Sequence, residues 1–205
     1  TGHQEAELSS MQRVYQEVSK QYDVVPVDLS TPTAIVPQDL AALCIIAPQT
    51  KFSDSTLYAI DQYIMNGGKV AFLINKVQAS LQQRFAQPIE LGLESLLAHY
   101  GVRINGDLVR DAQCANISVV QQQGPFQIQS QIPFPYLPMA SAMDRNNPIV
   151  KDLQSVVFYF VSSLDTASAV QKGLKAEVLV RTSKYSGRQP GFVMLDPFHR
   201  YTQQE

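Results

Sequence analysis

The stretch ALCIIAPQTKFSDSTLYAIDQYIMNGGKVAFLIN, residues 42–75, decides the reading of the fold. It opens on Ala42–Ala47, an apolar run without polar alternation, which predicts a strand covered by helices on both faces. Ser53, Asp54 and Ser55 then supply a helix cap. Leu57, Ile60, Tyr63 and Ile64 follow at helical spacing as far as Asn66. Asn66-Gly67-Gly68 ends the helix, because glycine takes the positive φ that a helix stop requires. Lys69–Ile74 is a second apolar strand. A strand–helix–strand unit of about 30 residues implies a right-handed crossover between parallel, neighbouring strands.

Outward from this unit, Leu8, Met11, Val14, Tyr15 and Val18 predict a helix over residues 4–21. Asp23–Leu29 reads as a strand that Pro26 confines to an edge or an end. Residues 31–38 carry Pro32 and Pro37 and read as a loop. Downstream, Leu91, Leu93, Leu96 and Leu97 predict a helix over 89–100, closed by Gly101. Val102–Val109 reads as a short strand with a turn. Residues 112–150 change character, with glutamines at 121–123 and prolines at 125, 133, 135, 138 and 148, and predict a Pro/Gln-rich β excursion. Further strands are expected at 156–161, 177–181 and 191–195. The expected architecture is a single α/β domain over residues 1–205 with a mainly parallel sheet.

Composition narrows the function. A net charge of -2 gives no field to gather nucleic acid or anionic lipid. No basic run and no basic aromatic stripe appears either. Cys44 lies inside an apolar run and reads as a buried small hydrophobe. Cys114 follows a polar segment, and a single bridge between the two stays open. No spacing suits zinc. No run approaches the roughly 20 apolar residues that span a bilayer. The abrupt start at Thr1 and end at Glu205 suggest an excised fragment.

In an open parallel sheet, ligands meet the loops at the strand carboxyl ends. Those loops are expected at Thr1–Glu5, Gln49–Lys51 and Asn75–Gln78, converging on one edge. The candidate ligand or partner contacts are therefore His3, Gln4, Glu5, Gln49, Asn75 and Lys76. An alternative for the first cluster is a helix start, with Thr1 as cap and Glu5 in the first turn. A catalytic set does not assemble. Gly67-Gly68 precedes a strand, so it cannot cradle a phosphate at a helix N-terminus, and no GxGxxG or Walker pattern exists. Cys44 is mid-strand, Ser53 and Ser55 read as caps, and His99 reads as a solvated helix histidine. His199 has no nucleophile placed to use it. The reading is of a non-enzymatic chain with no cofactor and no metal. The competing class is a degenerate amidotransferase-like hydrolase using His3, Glu5 or His199.

The segments TGHQE (1–5), YDVVPVDLS (22–30), residues 35–75 and LESLLAHYGVRINGDLVRD (93–111) resemble the auxiliary component of ABC transporters of the gliding-motility GldG type. The resemblance implies a flavodoxin-like or class I glutamine-amidotransferase-like three-layer sandwich, similar also to a domain of intraflagellar transport proteins. It implies a periplasmic or extracytoplasmic domain of a membrane-anchored protein, the membrane being reached through segments outside this fragment. It further implies permease and ATPase subunits as partners, and a polar or glycan ligand or a protein contact as the domain's business. Two positions depart from the family pattern. Asn75-Lys76 stand where an Asp-Pro pair is common, and Gln4 stands where Gly is usual.

Overall fold

The computed structural model describes residues 3–5, 11–123 and 126–198. The expectations placed on Thr1, Gly2, Leu8 and His199 lie outside the described residues. The chain divides into two compact units, one of Thr1–Asn75 with Glu90–Arg103 and one of Lys76–Ile89 with Ile104–Glu205.

The first unit is built on the decisive stretch. It holds α1 (Gln12–Val18), β1 (Leu43–Ile46), α2 (Asp54–Met65), β2 (Val70–Leu73) and α3 (Glu94–His99). β1 and β2 pair in parallel, with Leu43 opposite Val70 and Ile46 opposite Leu73. Ser53 caps α2 by accepting the Thr56 N–H at 3.2 Å. Ala59, Ile60 and Tyr63 are the buried face of α2. Two side chains of α2 tie it to the segment before β1: Thr56 Oγ1 donates to the Leu29 carbonyl at 2.9 Å, and Tyr63 Oη donates to the Leu40 carbonyl at 3.1 Å. Such long-range bonds satisfy backbone carbonyls that no sheet ladder serves.

Three expectations for this unit are corrected. Residues 23–29 form no strand; Pro26 at their centre has no N–H to give a ladder. The helix expected over 89–100 is confined to Glu94–His99, because Gly92 turns the chain at φ 75°. Cys44 is exposed rather than buried. β1 buries Leu43 and Ile45 and turns the alternate positions outward, so one face of the parallel pair stays open. Cys44 and Cys114 are both free thiols.

The second unit is antiparallel. Its elements are β3 (Val77–Ser80), β4 (Phe85–Pro88), β6 (Asp107–Asp111), β7 (Cys114–Gln123), β8 (Phe126–Ala140), β9 (Ala142–Met143), β10 (Val156–Val157), β11 (Leu164–Asp165), α4 (Ala167–Gln171), β12 (Val180–Arg181), β13 (Ser186–Pro190) and β14 (Val193–Met194), with β5 (Arg103–Ile104) at the junction. The sheets run β14-β4-β3, β10-β8-β7, β13-β6 and β12-β9. Every one of these pairings is antiparallel. The core gathers Val77, Ala86, Leu108, Phe134, Tyr136, Leu137, Val193 and Leu195.

The flavodoxin-like or amidotransferase-like three-layer sandwich with a mainly parallel sheet is thereby overturned. β1 and β2 are a parallel pair, and the sheets β14-β4-β3, β10-β8-β7, β13-β6 and β12-β9 are small and antiparallel. The physical reason is connection length. A parallel pair needs a crossover of a dozen or more residues, usually a helix, whereas antiparallel strands close through short turns. After β2 the connections that carry a helix, α3 between β4 and β5 and α4 between β11 and β12, do not join strands that pair with each other. β3 and β4 are joined by the turn Leu81–Arg84, in which Arg84 takes φ 58°.

Candidate functional site

The carboxyl ends of β1 and β2 lie side by side, because the strands are parallel and in register. Just past β1, the Ala47 N–H donates to the Leu73 carbonyl at 2.8 Å. Ala47 itself takes φ 49°, a left-handed conformation that costs an L-residue roughly 1–2 kcal/mol. The chain then crosses the residues nearest its start. The N–H groups of Gln49 and Thr50 both donate to the His3 carbonyl, at 3.0 and 3.3 Å. Gln49 Nε2 returns to the Ala47 carbonyl at 2.9 Å and braces the turn. Gln4 is a second left-handed residue, at φ 54°. Two such residues on adjoining loops persist only where the surroundings over-determine them.

His3 is 7% exposed, and its ring stacks on Phe52 at 4.0 Å with 9° between planes. Phe52 is buried, and its N–H donates to the Leu91 carbonyl at 2.9 Å. The imidazole thus serves the packing of this edge. The His3 N–H donates to Glu5 Oε2 at 2.9 Å. Burial pushes the Glu5 carboxyl up, but hydrogen bonds, among them those from the backbone N–H groups of Glu5 and His3, hold it below its ordinary value. Gln4 and Gln49 are exposed and Glu5 is half-buried.

Of the six candidate residues, the structure brings His3, Gln4, Glu5 and Gln49 together. Asn75 stands at the end of the same unit, two residues past Leu73, and is half-buried. Lys76 opens the second unit, where its N–H donates to Ser162 Oγ and its carbonyl accepts from Ile89, each at 3.0 Å. The helix-start alternative for the opening residues does not hold for Glu5. Residues 3–5 are not helical, and α1 begins at Gln12 behind an N-cap position at Met11.

Residue patterns did not disclose Phe52 as the platform under His3, nor the left-handed Ala47. They also passed over two buried carboxylates at the ends of β6. Asp107 accepts the Ser163 N–H at 2.9 Å and the Ser163 hydroxyl at 2.7 Å. Asp111 accepts the Ser183 N–H at 2.7 Å, the Ser183 hydroxyl at 2.5 Å and the Gln113 N–H at 2.9 Å. Every oxygen of these two carboxylates accepts at least one hydrogen bond from the fold, which marks them as structural. No group of three or more His, Cys, Asp or Glu side chains suited to a metal ion occurs among the described residues. Among the same residues, no helix is long and apolar enough to cross a membrane.

The molecule is therefore a sheet-rich, mostly antiparallel chain with a parallel crossover between β1 and β2 and a polar loop edge at the carboxyl ends of that pair. Over residues 1–205 it belongs to the family described as an ABC-type uncharacterized transport system, whose members are auxiliary components. No curated protein matches it. Among solved structures it is similar to the mmIFT52 N-terminal domain, with a TM-score of 0.53 and 13% identity over 80% of this chain and 69% of that one. At that identity the likeness concerns the fold alone.

Proposed function

We propose that the chain is a non-catalytic, extracytoplasmic module of an ABC system of export or gliding-motility GldG type, and that it meets its permease or a polar ligand through the edge formed by His3–Glu5 and Gln49–Lys51. Membership of the transport family supports the class. The observation that carries the surface is the backbone clamp between His3 and Gln49–Thr50, which fixes two exposed amide side chains, Gln4 and Gln49, on strained turns at the strand carboxyl ends. Amides both donate and accept, so this edge suits a wet polar contact or a glycan hydroxyl better than an apolar ligand. The ATPase subunit joins through the permease, and membrane attachment comes from segments outside residues 1–205.

A hydrolase reading needs a nucleophile beside His3. The serine beside Phe52 is already engaged, since Ser53 Oγ bonds Ser55 Oγ at 2.8 Å and Thr56 Oγ1 at 2.9 Å while capping α2. The test is a photo-crosslinking amino acid placed at Gln49 or Lys51, in cells that express the permease and ATPase of the same operon. Adducts with the permease from these positions, and none from Lys184, are expected. Adducts from Lys184 alone would overturn the surface. Turnover of ATP or glutamine that vanishes in Glu5→Gln would overturn the non-catalytic reading.

A further inference from the structure

The β7–β8 hairpin carries a feature that the polar edge does not use. β7 is a ten-residue strand, and it is the outer strand of its sheet, with β8 as its one partner among the described strands. From Ala112 to Met143 the sequence contains no Asp, Glu, Lys, Arg or His, although the chain holds 16 basic and 18 acidic residues elsewhere. β7 also contains no proline. Exposed edges are ordinarily guarded by charge, proline or shortness, because their unpaired N–H and C=O groups invite another strand. Along Asn116–Gln123 this edge has none of those guards; a register shift between Cys114 and Asn116 marks its start.

The hairpin's distal half is also incomplete as a sheet. β10 pairs β8 only at Met139 and Ala140, so from Asn116↔Pro133 to Gln123↔Phe126 the sheet is two-stranded. An isolated two-stranded ribbon is marginal in water. The period of two puts Phe126, Ile128, Ser130, Ile132 and Phe134 on one face of β8, with Ile117 opposite Ile132 and Val119 opposite Ser130. That apolar stripe starts in the core at Phe134, which is fully buried, and runs out to Ile128 at 43% and Phe126 at 71% exposed.

We propose that β7 is a self-pairing edge, and that a second copy of this chain adds its own β7 antiparallel to it, giving a four-stranded sheet across a twofold axis. The absence of charge argues for a second copy over a foreign strand. In an isologous interface each residue near the axis meets its own kind, so any charge there would face a like charge. A heterologous partner imposes no such ban. Asn116, Ser118, Gln121 and Gln122 satisfy the self-complementary condition, since amides and hydroxyls donate and accept alike. The two apolar stripes would merge into one wider face, and the marginal ribbon would gain strands on its free side.

Sedimentation velocity on the chain tests this with Ser118→Lys and Ser118→Glu. Ser118 is exposed on the face away from the core, so both variants should keep the wild-type circular dichroism; Val120→Lys and Val120→Glu, at a position 64% exposed, replace them if either does not. The wild type is expected to dimerise as concentration rises. Each charged variant alone should sediment as a monomer, and an equimolar Lys and Glu mixture should restore the dimer. A wild type that stays monomeric at every concentration overturns the proposal. So does a dimer that both single variants retain, or a monomeric wild type whose β7 crosslinks to the permease instead.

Discussion

At the scale of single residues, Asp111 holds more of the second unit than its size suggests. It is 1% exposed and accepts two backbone N–H groups and one hydroxyl. Asp111→Ala would orphan all three donors and is expected to cost about 3 kcal/mol, because an unmet buried donor forfeits its desolvation cost in full. Ser183→Ala, which removes the hydroxyl bond to Asp111 and the acceptor of the exposed Tyr185 N–H, is expected to cost about 1 kcal/mol. Urea unfolding of the two variants checks the ratio, and equal costs would contradict the assignment. Gly67 and Gly68 separate in the same way. A Cβ on Gly67 meets open space and costs about 1–2 kcal/mol through its φ of 88°. A Cβ on Gly68 would overlap the ring of the buried Tyr63, adding an overpacking cost of about 1–3 kcal/mol. Thermal unfolding should therefore rank the Tyr63 ring clash in Gly68→Ala as a defect that relieving the ring with Tyr63→Leu softens. The thiols divide too. Cys44 is exposed, while burial and the nearby Asp111 carboxylate push the Cys114 thiol up, against a backbone hydrogen bond from Phe134. Limited alkylation at neutral pH followed by mass spectrometry should label Cys44 first, since the thiolate is the reacting form.

At the scale of elements, what was legible in the sequence depended on how local its cause was. The parallel pair and α2 follow from contiguous apolar runs, a serine cap and a glycine stop, all within residues 42–75. Prolines and glutamines made residues 112–150 read as a β excursion, and β7, β8 and β9 lie within that range. The rest of the sheet order was not legible, since strands of two residues such as β9, β10, β12 and β14 carry no periodicity and owe their pairing to distant partners. The break in the β7–β8 ladder between Cys114 and Asn116 does have a sequence cause, because the facing stretch of β8 carries Pro133, Pro135 and Pro138, which lack a donor. The candidate edge was legible as loops at strand ends, but not as a clamp, because a backbone bond between His3 and Gln49 leaves no mark on residue type. The end of α3 offers a test at this scale. Tyr100 Oη donates to Asp61 Oδ1 of α2 at 2.8 Å. Burial and that carboxylate push the Tyr100 pKa from 10.0 up to about 12. The folded value is raised, so the stabilisation is complete below pH 10 and is lost as the pH climbs from 10 to 12. The stability advantage of the wild type over Tyr100→Phe should be flat at neutral pH and shrink across that window. An advantage that persists to pH 12 would show that the pair does not join the helices.

At the scale of the whole molecule, a family and a surface stand together. The chain belongs to an ABC transport family, and its fold likeness to the mmIFT52 N-terminal domain concerns architecture alone. What the geometry adds is a polar edge tied together by backbone bonds from Gln49 and Thr50 to His3, on which Gln4 and Gln49 are exposed. Gln49 is exposed, and the bond from its backbone N–H to the His3 carbonyl survives any side chain. Binding of the chain to its cognate permease, reconstituted in nanodiscs and followed by biolayer interferometry, tests the central claim most directly. Gln49→Arg should weaken binding tenfold or more, about 1.4 kcal/mol, with an unchanged circular dichroism spectrum, while Lys184→Glu on the second unit should bind as the wild type does. Wild-type affinity in Gln49→Arg, with the loss appearing in Lys184→Glu instead, would contradict the account.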